Sequence, residues 1–179
     1  MGNYRKQAEA NYDGVARFLH WLVVVMIVMM FVIGWTMPHV HRNTLPVGLI
    51  AWHIGIGAAL IAAMLVRIIW RFTHRPPPVT LSPLLSTISL IAHFFLYVGL
   101  IVEPVLGWAN ASARGWVVKL FGVMTYPSLA SAGSAFGLEL GGVHRLLAWA
   151  LLSLIGMHVA AALFHRFVIK DCVLQRMMP

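Results

Sequence analysis

Four long runs of apolar residues constrain this chain more than any other feature of its sequence. They fall at about 14–37, 46–72, 84–108 and 137–169, and each holds the roughly 20 residues that a helix needs to cross a bilayer. With 60% hydrophobic and only 10% charged residues, the chain has too few polar side chains to cover a water-soluble fold. The sequence therefore predicts an all-α integral membrane protein, with residues 1–179 forming one four-transmembrane-helix bundle.

Basic residues at the ends of these runs predict how the chain sits in the membrane. Nine fall on the side that holds both termini: Arg5, Lys6, Arg17, Arg67, Arg71, Arg75, Arg166, Lys170 and Arg176. Four fall on the other side: Arg42, Arg114, Lys119 and Arg145. Because Lys and Arg are enriched in cytoplasmic loops, both termini are predicted to be cytoplasmic and the long loop 109–142 to lie outside. Basic residues at span ends suit lipid headgroups, so nucleic acid is not an expected partner of this +8 chain.

The single cysteine, Cys172, narrows the chemistry that the chain can perform. One cysteine cannot form a disulfide within the chain or a thiolate metal cluster. It also rules out the Cys-x-x-Cys-His motif that attaches haem covalently. Any haem is therefore predicted to be bound without a covalent link.

Histidines are the strongest functional signal. Six of the nine lie in or at the ends of the apolar runs: His20, His53, His93, His144, His158 and His165. An ionisable side chain inside a membrane is costly and usually has a partner in the bundle. For any single histidine, a hydrogen bond between helices is the simpler explanation. The argument for a cofactor therefore depends on their relative depths.

His144 and His158 share one face of the fourth predicted helix. They are 14 residues apart, which is about 21 Å along the axis and within about 40° around it. If Asp13 caps the first helix, His20 lies near its inner end. If Thr44 caps the second helix, His53 lies near its outer end. Matching depths give two couples: His20 with His158, and His53 with His144.

Two other histidines compete for the inner level. Choosing His165 would separate the two levels by about 31 Å, the whole hydrocarbon thickness, so His158 is preferred. His93 on the third helix is a rival ligand, with packing or a quinone-side role as the alternative. Structural zinc needs four ligands at one point, whereas these histidines form two levels of two. Two imidazoles at each level suit the axial positions of a haem b.

Small and basic residues support two haems. Gly57 clears space on the second helix for a ring face, although ordinary helix packing would explain it equally well. Arg67, Arg71 and Arg17 are candidates to pair with the propionates of the inner haem. Arg145 is the corresponding candidate at the outer haem, with help from the other outer cations. Extension of these side chains to the headgroups is the alternative.

Several short motifs resemble the bacterial cytochrome b561 family over nearly the whole chain. They are Leu19-His20-Trp21, His53 with Gly57, His144 with His158, Arg114-Gly115, Phe121-Gly122, and the ending Lys170-Asp171 through Leu174 to Arg176-Met177-Met178-Pro179. The resemblance implies a multi-pass protein of the bacterial cytoplasmic membrane with two non-covalent haems b. Its axial ligands would fall on the same four histidines that depth indicates: His20, His53, His144 and His158. Glu103 departs from the family pattern, and its role is left open between tuning the outer site and pairing with Arg145.

The resemblance also implies electron transfer between the quinone pool, ubiquinone or a similar quinone, and another redox partner. His165, His74 and His93, with Arg71, are candidates for the quinone side. The outer cations Arg42, Arg114, Lys119 and Arg145 are predicted to steer a small anion such as superoxide; a periplasmic redox protein is the competing partner. One alternative is the haem-bearing anchor subunit of a hydrogenase- or formate-dehydrogenase-type complex. A membrane protein without redox chemistry is another.

Overall fold

Four long helices form the structure, a computed structural model that describes residues 11–41, 43–74, 82–120 and 122–178. Their bounds are α1 Gly14–Thr36, α2 Leu49–Thr73, α3 Pro83–Ala113 and α4 Ala135–Phe164. Each is long and apolar enough to cross a membrane. The predicted four-helix membrane fold is confirmed, with one short β-hairpin as an addition to its helices.

Consecutive helices pack against each other in sequence order, α1 on α2, α2 on α3 and α3 on α4. α1 and α2 are antiparallel, since Gly34 near the end of α1 lies beside His53 near the start of α2, and so are α3 and α4, since Gly107 toward the end of α3 lies beside His144 in the first half of α4. The bundle therefore has two different ends. We call the end with the α1–α2 and α3–α4 connections the loop end. The end at which α2 ends and α3 begins, together with residues 165–178, is the tail end.

The core lies midway along the bundle. Val23, Leu60, Met64, Leu100 and Leu151, from all four helices, belong to one buried cluster. Large apolar side chains such as those of Phe72 and Phe94 point outward instead. Because lipid tails are as apolar as these side chains, an outward apolar surface is what a membrane bundle requires. The middle of the bundle is thus filled, and polar side chains gather at its two ends.

Asp13 caps α1, as the sequence predicts. Its carboxylate accepts a hydrogen bond from the Ala16 N–H at 2.9 Å and another from Trp70 Nε1 on α2 at 3.1 Å. The Ala16 bond, as the largest cause, holds the pKa of the Asp13 carboxyl below its usual value, with the Trp70 bond acting in the same direction. This cap is therefore formed by a carboxylate that also joins α1 to α2.

The predicted Thr44 cap of α2 is wrong. The N-cap residue is Gly48, which has a φ of 59° and no side-chain hydrogen bond. Thr44 Oγ1 instead accepts from the His41 N–H within the preceding turn. A left-handed backbone suits glycine, so the chain enters the helix four residues later than the cap pattern indicates.

The loop between α3 and α4 is shorter than its predicted range. α3 continues to Ala113, because the run Ala109-Asn110-Ala111-Ser112-Ala113 favours helix until Gly115 adopts a φ of 75°. The loop then forms an antiparallel hairpin, β1 Lys119–Leu120 with β2 Met124–Thr125, in which Lys119 pairs with Thr125. At the other end of α4, a π-helical turn over His165–Ile169 leads into a 3₁₀ turn over Gln175–Met177.

Candidate functional site

A cavity opens at the loop end of the bundle between all four helices. Its volume is about 840 Å³, in the range of pockets that hold cofactor-sized ligands. His53 of α2 and His144 of α4 both line it, with Trp35 of α1 and Glu103 of α3. The structure thus brings the residues of the predicted outer couple into one space.

His53 and His144 face each other, with ring centroids 6.1 Å apart and ring planes at 88°. Nδ1 of His53 is buried and has no hydrogen-bond partner. Nδ1 of His144 lies 3.0 Å from the backbone oxygen and 3.0 Å from the carboxylate Oε1 of Glu103. In a neutral imidazole, the ring nitrogen beside two acceptors is the donor, so the lone pair available to a metal ion is the one on Nε2 of His144. Metal-bound histidines are oriented in this way by an acceptor on their second nitrogen.

Glycines leave room for the two imidazoles. A Cβ on Gly107 of α3 would lie 2.9 Å from Cε1 of His144. A Cβ on Gly34 of α1 would lie 3.6 Å from Cε1 of His53. Gly57, which the sequence predicts to clear space for a ring, also lines the cavity. The neighbouring helices therefore approach the histidines at positions without side chains.

Of the four basic residues predicted at the loop end, two line the cavity. Arg114 and Arg145 line the cavity. Arg114 donates one hydrogen bond to a side-chain amide and one to a backbone carbonyl, each at 3.1 Å, whereas Arg145 is exposed. Lys119 is exposed on β1 and is not part of the cavity wall. Arg42 lies outside the described residues.

Four polar side chains, one from each helix, meet toward the tail end. Nη2 of Arg67 lies 3.2 Å from Nδ1 of His20. The rings of His93 and His158 have centroids 5.3 Å apart and are nearly perpendicular, at 83°. His20 also lies within electrostatic range of both other histidines. The predicted inner couple and its rival His93 therefore occupy the same level of the bundle.

Two guanidinium groups at this level have buried atoms without partners. Arg67 donates from Nε to the Tyr97 hydroxyl at 3.2 Å, but its Nη1 has no hydrogen bond. Arg17 donates from Nη1 to the backbone oxygen of Met178 at 3.0 Å, and its Nε has none. The two ion pairs of the described residues involve neither arginine. Because buried cations normally pair with anions, both positions suit the carboxylates of a ligand.

The C-terminal segment folds back over the start of α1, which the sequence did not predict. Trp21 Nε1 donates to the backbone oxygen of Met177 at 2.8 Å, and the Tyr12 N–H donates to that of Arg176 at 3.2 Å. The guanidinium of Arg176 lies over the Tyr12 ring, 5.8 Å from its centroid. Since Trp21 follows His20 directly, this segment lies against the tail-end histidine level.

The candidates for the quinone side lie at separate places of the tail end. Nδ1 of His165 lies 2.6 Å from a carboxylate oxygen of Asp171, and both side chains are partly buried. His74 stacks on a tryptophan ring at 3.7 Å and lines a small pocket of about 30 Å³ with Arg71. His93 belongs to the histidine level described above. In the described structure these three histidines share no ring contact or hydrogen bond with one another.

The donor sets suit a planar iron porphyrin. Nowhere in the described ranges do three His, Cys, Asp or Glu side chains gather as a site for a bare metal ion. At the loop end two imidazoles face each other in a large cavity, and one of them keeps an unpartnered buried nitrogen. At the tail end, buried guanidinium nitrogens suit propionates. A porphyrin supplies the four equatorial ligands itself and needs only the two axial ones from the protein.

Comparisons with known proteins agree with this chemistry. Residues 11–179 match the family model described as prokaryotic cytochrome b561. A Yersinia pestis protein named probable superoxide oxidase CybB is 31% identical over 167 residues, which cover 90% of this chain and 92% of that protein. Cytochrome b561 homolog 2 of Escherichia coli (strain K12) is 30% identical over 172 residues, covering 94% and 91%. Cytochrome b562 of Cereibacter sphaeroides is 28% identical over 176 residues, covering 95% and 96%.

Proposed function

The chain belongs to the prokaryotic cytochrome b561 family, and on this premise we propose that it carries electrons across the bacterial cytoplasmic membrane from superoxide to quinone through two haems b. Membership brings haem b and electron transfer by a multi-pass membrane protein. The number of haems, the two substrates and the orientation belong to the proposal.

The proposal depends on one observation: the rings of His53 and His144 face each other in the loop-end cavity. These imidazoles come from α2 and α4, and the 6.1 Å between their centroids lies within a space of about 840 Å³. We assign these residues as the axial ligands of one haem.

A second haem is assigned to the tail end, with His20 and His158 as its axial ligands. The buried guanidinium atoms of Arg67 and Arg17 support the assignment, since two propionates would satisfy them. Nδ1 of His20 now faces the Arg67 donor, so Arg67 must turn away for His20 to ligate through Nε2. Arg71 is exposed and lines, together with Arg67, the small tail-end pocket of about 30 Å³, so it is a further candidate to bind the propionates.

The orientation follows from the distribution of basic residues. With nine of thirteen Lys and Arg on the side of the termini, the tail end is assigned to the cytoplasm and the loop end to the outside. The loop-end cavity would then receive donors from outside. The tail end would have access to cytoplasmic protons.

The protein controls this chemistry through ligation, charge and access. Bound haem supplies reversible one-electron chemistry. His53 with His144 would hold one haem iron and His20 with His158 the other, and ligation by two histidines would favour electron transfer over oxygen binding. Arg114 and Arg145 at the cavity wall raise the local concentration of a small anion. His144 and His158 lie on one continuous helix about 21 Å apart along its axis, which sets the spacing of the two sites.

The overall reaction balances with one quinone for two superoxide ions. Each superoxide loses one electron and becomes O₂, and the quinone gains two electrons and two protons to become quinol. His165, hydrogen-bonded to Asp171 at 2.6 Å, is a candidate to pass protons to the quinone at the tail end. The superoxide assignment is supported by the name of the Yersinia pestis relative, probable superoxide oxidase CybB, and by the loop-end cations.

The purified wild-type protein tests the proposal. We expect two haem b per chain, a reduced spectrum of low-spin haem, and haem reduction by superoxide at a rate that stopped-flow mixing can measure. Superoxide dismutase should abolish the reduction, and added ubiquinone should reoxidise the haem. One haem per chain, or a haem that superoxide leaves oxidised, would contradict the proposal. Co-purification of a large soluble subunit would favour the alternative of a dehydrogenase anchor, which stays a prediction.

Replacing Gly107 with alanine is expected to weaken haem binding at the loop end. The new Cβ would lie 2.9 Å from Cε1 of His144, so the imidazole must shift. Changes around a metal ligand that disturb its orientation cost about 10- to 100-fold in affinity. Gly142→Ala is the matched control, because a Cβ there meets nothing within 4 Å. Haem titration of the apoprotein measures both variants, and equal affinities would argue against His144 as a ligand.

A further inference from the structure

Glu103 is an acidic residue inside a membrane span that the proposed function does not use. It lies on α3, 8% exposed, and directly precedes Pro104. A buried carboxylate in a membrane is expensive and is usually kept for a function or for a specific partner. Its partner is His144, because its Oε1 lies 3.0 Å from Nδ1 of that ring.

We propose that Glu103 lowers the reduction potential of the haem held by His144, and so makes the loop-end haem the stronger reductant of the two. The proposal rests on the assignment of His144 as a ligand under the proposed function. Glu103 acts through His144, and is therefore a positioning residue. It accepts a hydrogen bond from Nδ1–H, which orients the ring and increases the electron density on Nε2. A more basic ligand and a nearby negative charge both favour the oxidised, more positive iron.

The other three proposed ligands have different surroundings. Nδ1 of His53 has no hydrogen-bond partner. Nδ1 of His20 faces a cationic donor, the Arg67 guanidinium, at 3.2 Å. The ring of His158 faces the ring of His93. In the described residues, Glu103 is thus the carboxylate that contacts a proposed ligand.

This contrast gives the proposed electron path a direction. A carboxylate at the loop end disfavours an added electron there, and in the described residues neither His20 nor His158 at the tail end pairs with a carboxylate. At equilibrium a single electron shared between the two sites is then held mainly at the tail end. The electron lost by the loop-end site is the one gained by the tail-end site, and no proton or group needs to move with it.

The backbone carbonyl of Glu103 allows the effect of its side-chain charge to be tested separately. Its carbonyl oxygen also lies 3.0 Å from Nδ1 of His144. A Glu103→Gln variant therefore keeps an acceptor for the ring and removes only the charge. Glu139→Gln is the matched control, since Glu139 lines the same cavity but is exposed and has no described hydrogen bond to a histidine.

The experiment is a spectroscopic redox titration of the holoprotein at fixed pH. In E103Q we expect one of the two midpoint potentials to rise, so that the equilibrium constant for electron partition between the haems changes at least tenfold, or about 59 mV for a one-electron couple. The other midpoint and the low-spin spectrum should stay as in the wild type. E139Q should change the constant by less than about twofold, while Glu103→Asp, which keeps the carboxylate, should return the midpoint toward the wild-type value.

Three results would overturn the inference. They are equal shifts of the midpoint potentials in E103Q and E139Q, a lower midpoint potential in E103Q, and midpoint potentials in E103Q that equal those of the wild type. Should E103Q lose its haem, the Asp variant decides. Haem retained with a near wild-type midpoint supports a role for the charge, whereas haem lost in both variants makes Glu103 a packing residue. A wild-type protein without two haems would instead contradict the proposed function itself.

Discussion

A His53→Ala variant is expected to retain one haem b per chain in place of two. Under the proposed function, His53, which lines the loop-end cavity, would be one of the two histidines that hold the haem there, and a haem held by a single histidine would be bound far more weakly. His20→Ala should remove the other haem, and the double variant should be colourless. The pyridine haemochrome assay on purified protein measures the count, and the superoxide-driven reduction should disappear with the loop-end haem.

His39→Ala is the matched control for His53→Ala. His39 also lines the loop-end cavity, but it is exposed in the connection after α1. Its replacement removes an imidazole near the same site and should leave two haems in place. Equal losses in the two variants would show that the cavity needs general polarity there and would reject His53 as a ligand.

The same assay decides between the two candidates at the tail end. His93 is the rival, with its ring 5.3 Å from that of His158. If His20 is the ligand, His93→Ala should keep both haems and His20→Ala should keep one. The reverse result would move the tail-end haem to a His93–His158 couple, and would leave the loop-end assignment unchanged.

The membrane fold was predictable because its main cause is local. A run of about 20 apolar residues must form a helix in lipid, since only internal hydrogen bonds satisfy its backbone there. Short connections then make neighbouring helices antiparallel. Helical periodicity also places His144 and His158 on one face of α4 without any knowledge of the other helices. These features need only the order of residues along the chain.

The missed features depend on contacts between distant segments. Glu103 and His144 are 41 residues apart, and only the packing of α3 on α4 brings them within 3.0 Å. The sequence left Glu103 open between tuning the outer site and pairing with Arg145. The described structure gives it the histidine as partner and contains no ion pair to the arginine.

The role of Gly107 was missed for a related reason. A glycine at the end of an apolar run indicates helix packing or a turn equally well, and only the position of the facing ring shows what it accommodates. The tail that covers Trp21 is a third case. Its contacts include hydrogen bonds to the backbone carbonyl groups of Met177 and Met178, and a backbone carbonyl does not depend on residue type.

The rate of haem reduction by superoxide should fall about tenfold at low salt in an Arg145→Gln variant. Arg145 lies in the wall of the loop-end cavity, next to His144 in the sequence, and its exposed charge attracts anions toward this cavity. Charges that focus a field into a cleft raise association rates by about 10- to 1,000-fold in total, so one of the few cations here carries a measurable part. Stopped-flow spectroscopy over a range of ionic strengths measures the effect, with each rate expressed per bound haem.

Lys119→Gln separates steering from net charge. It removes the same unit charge from the same end of the molecule, but Lys119 is on the hairpin and outside the cavity wall. At about 0.1 M salt the screening length is about 10 Å. A charge outside the cavity wall should then have little effect on the rate of haem reduction, whereas a charge in the wall should still increase it. Arg145→Lys should keep most of the rate, because steering requires the charge and not the shape of the guanidinium. A wild-type rate indifferent to salt, or equal losses in the Arg145 and Lys119 variants, would mean that superoxide is not guided by this cavity and that a docked redox protein is the better candidate donor.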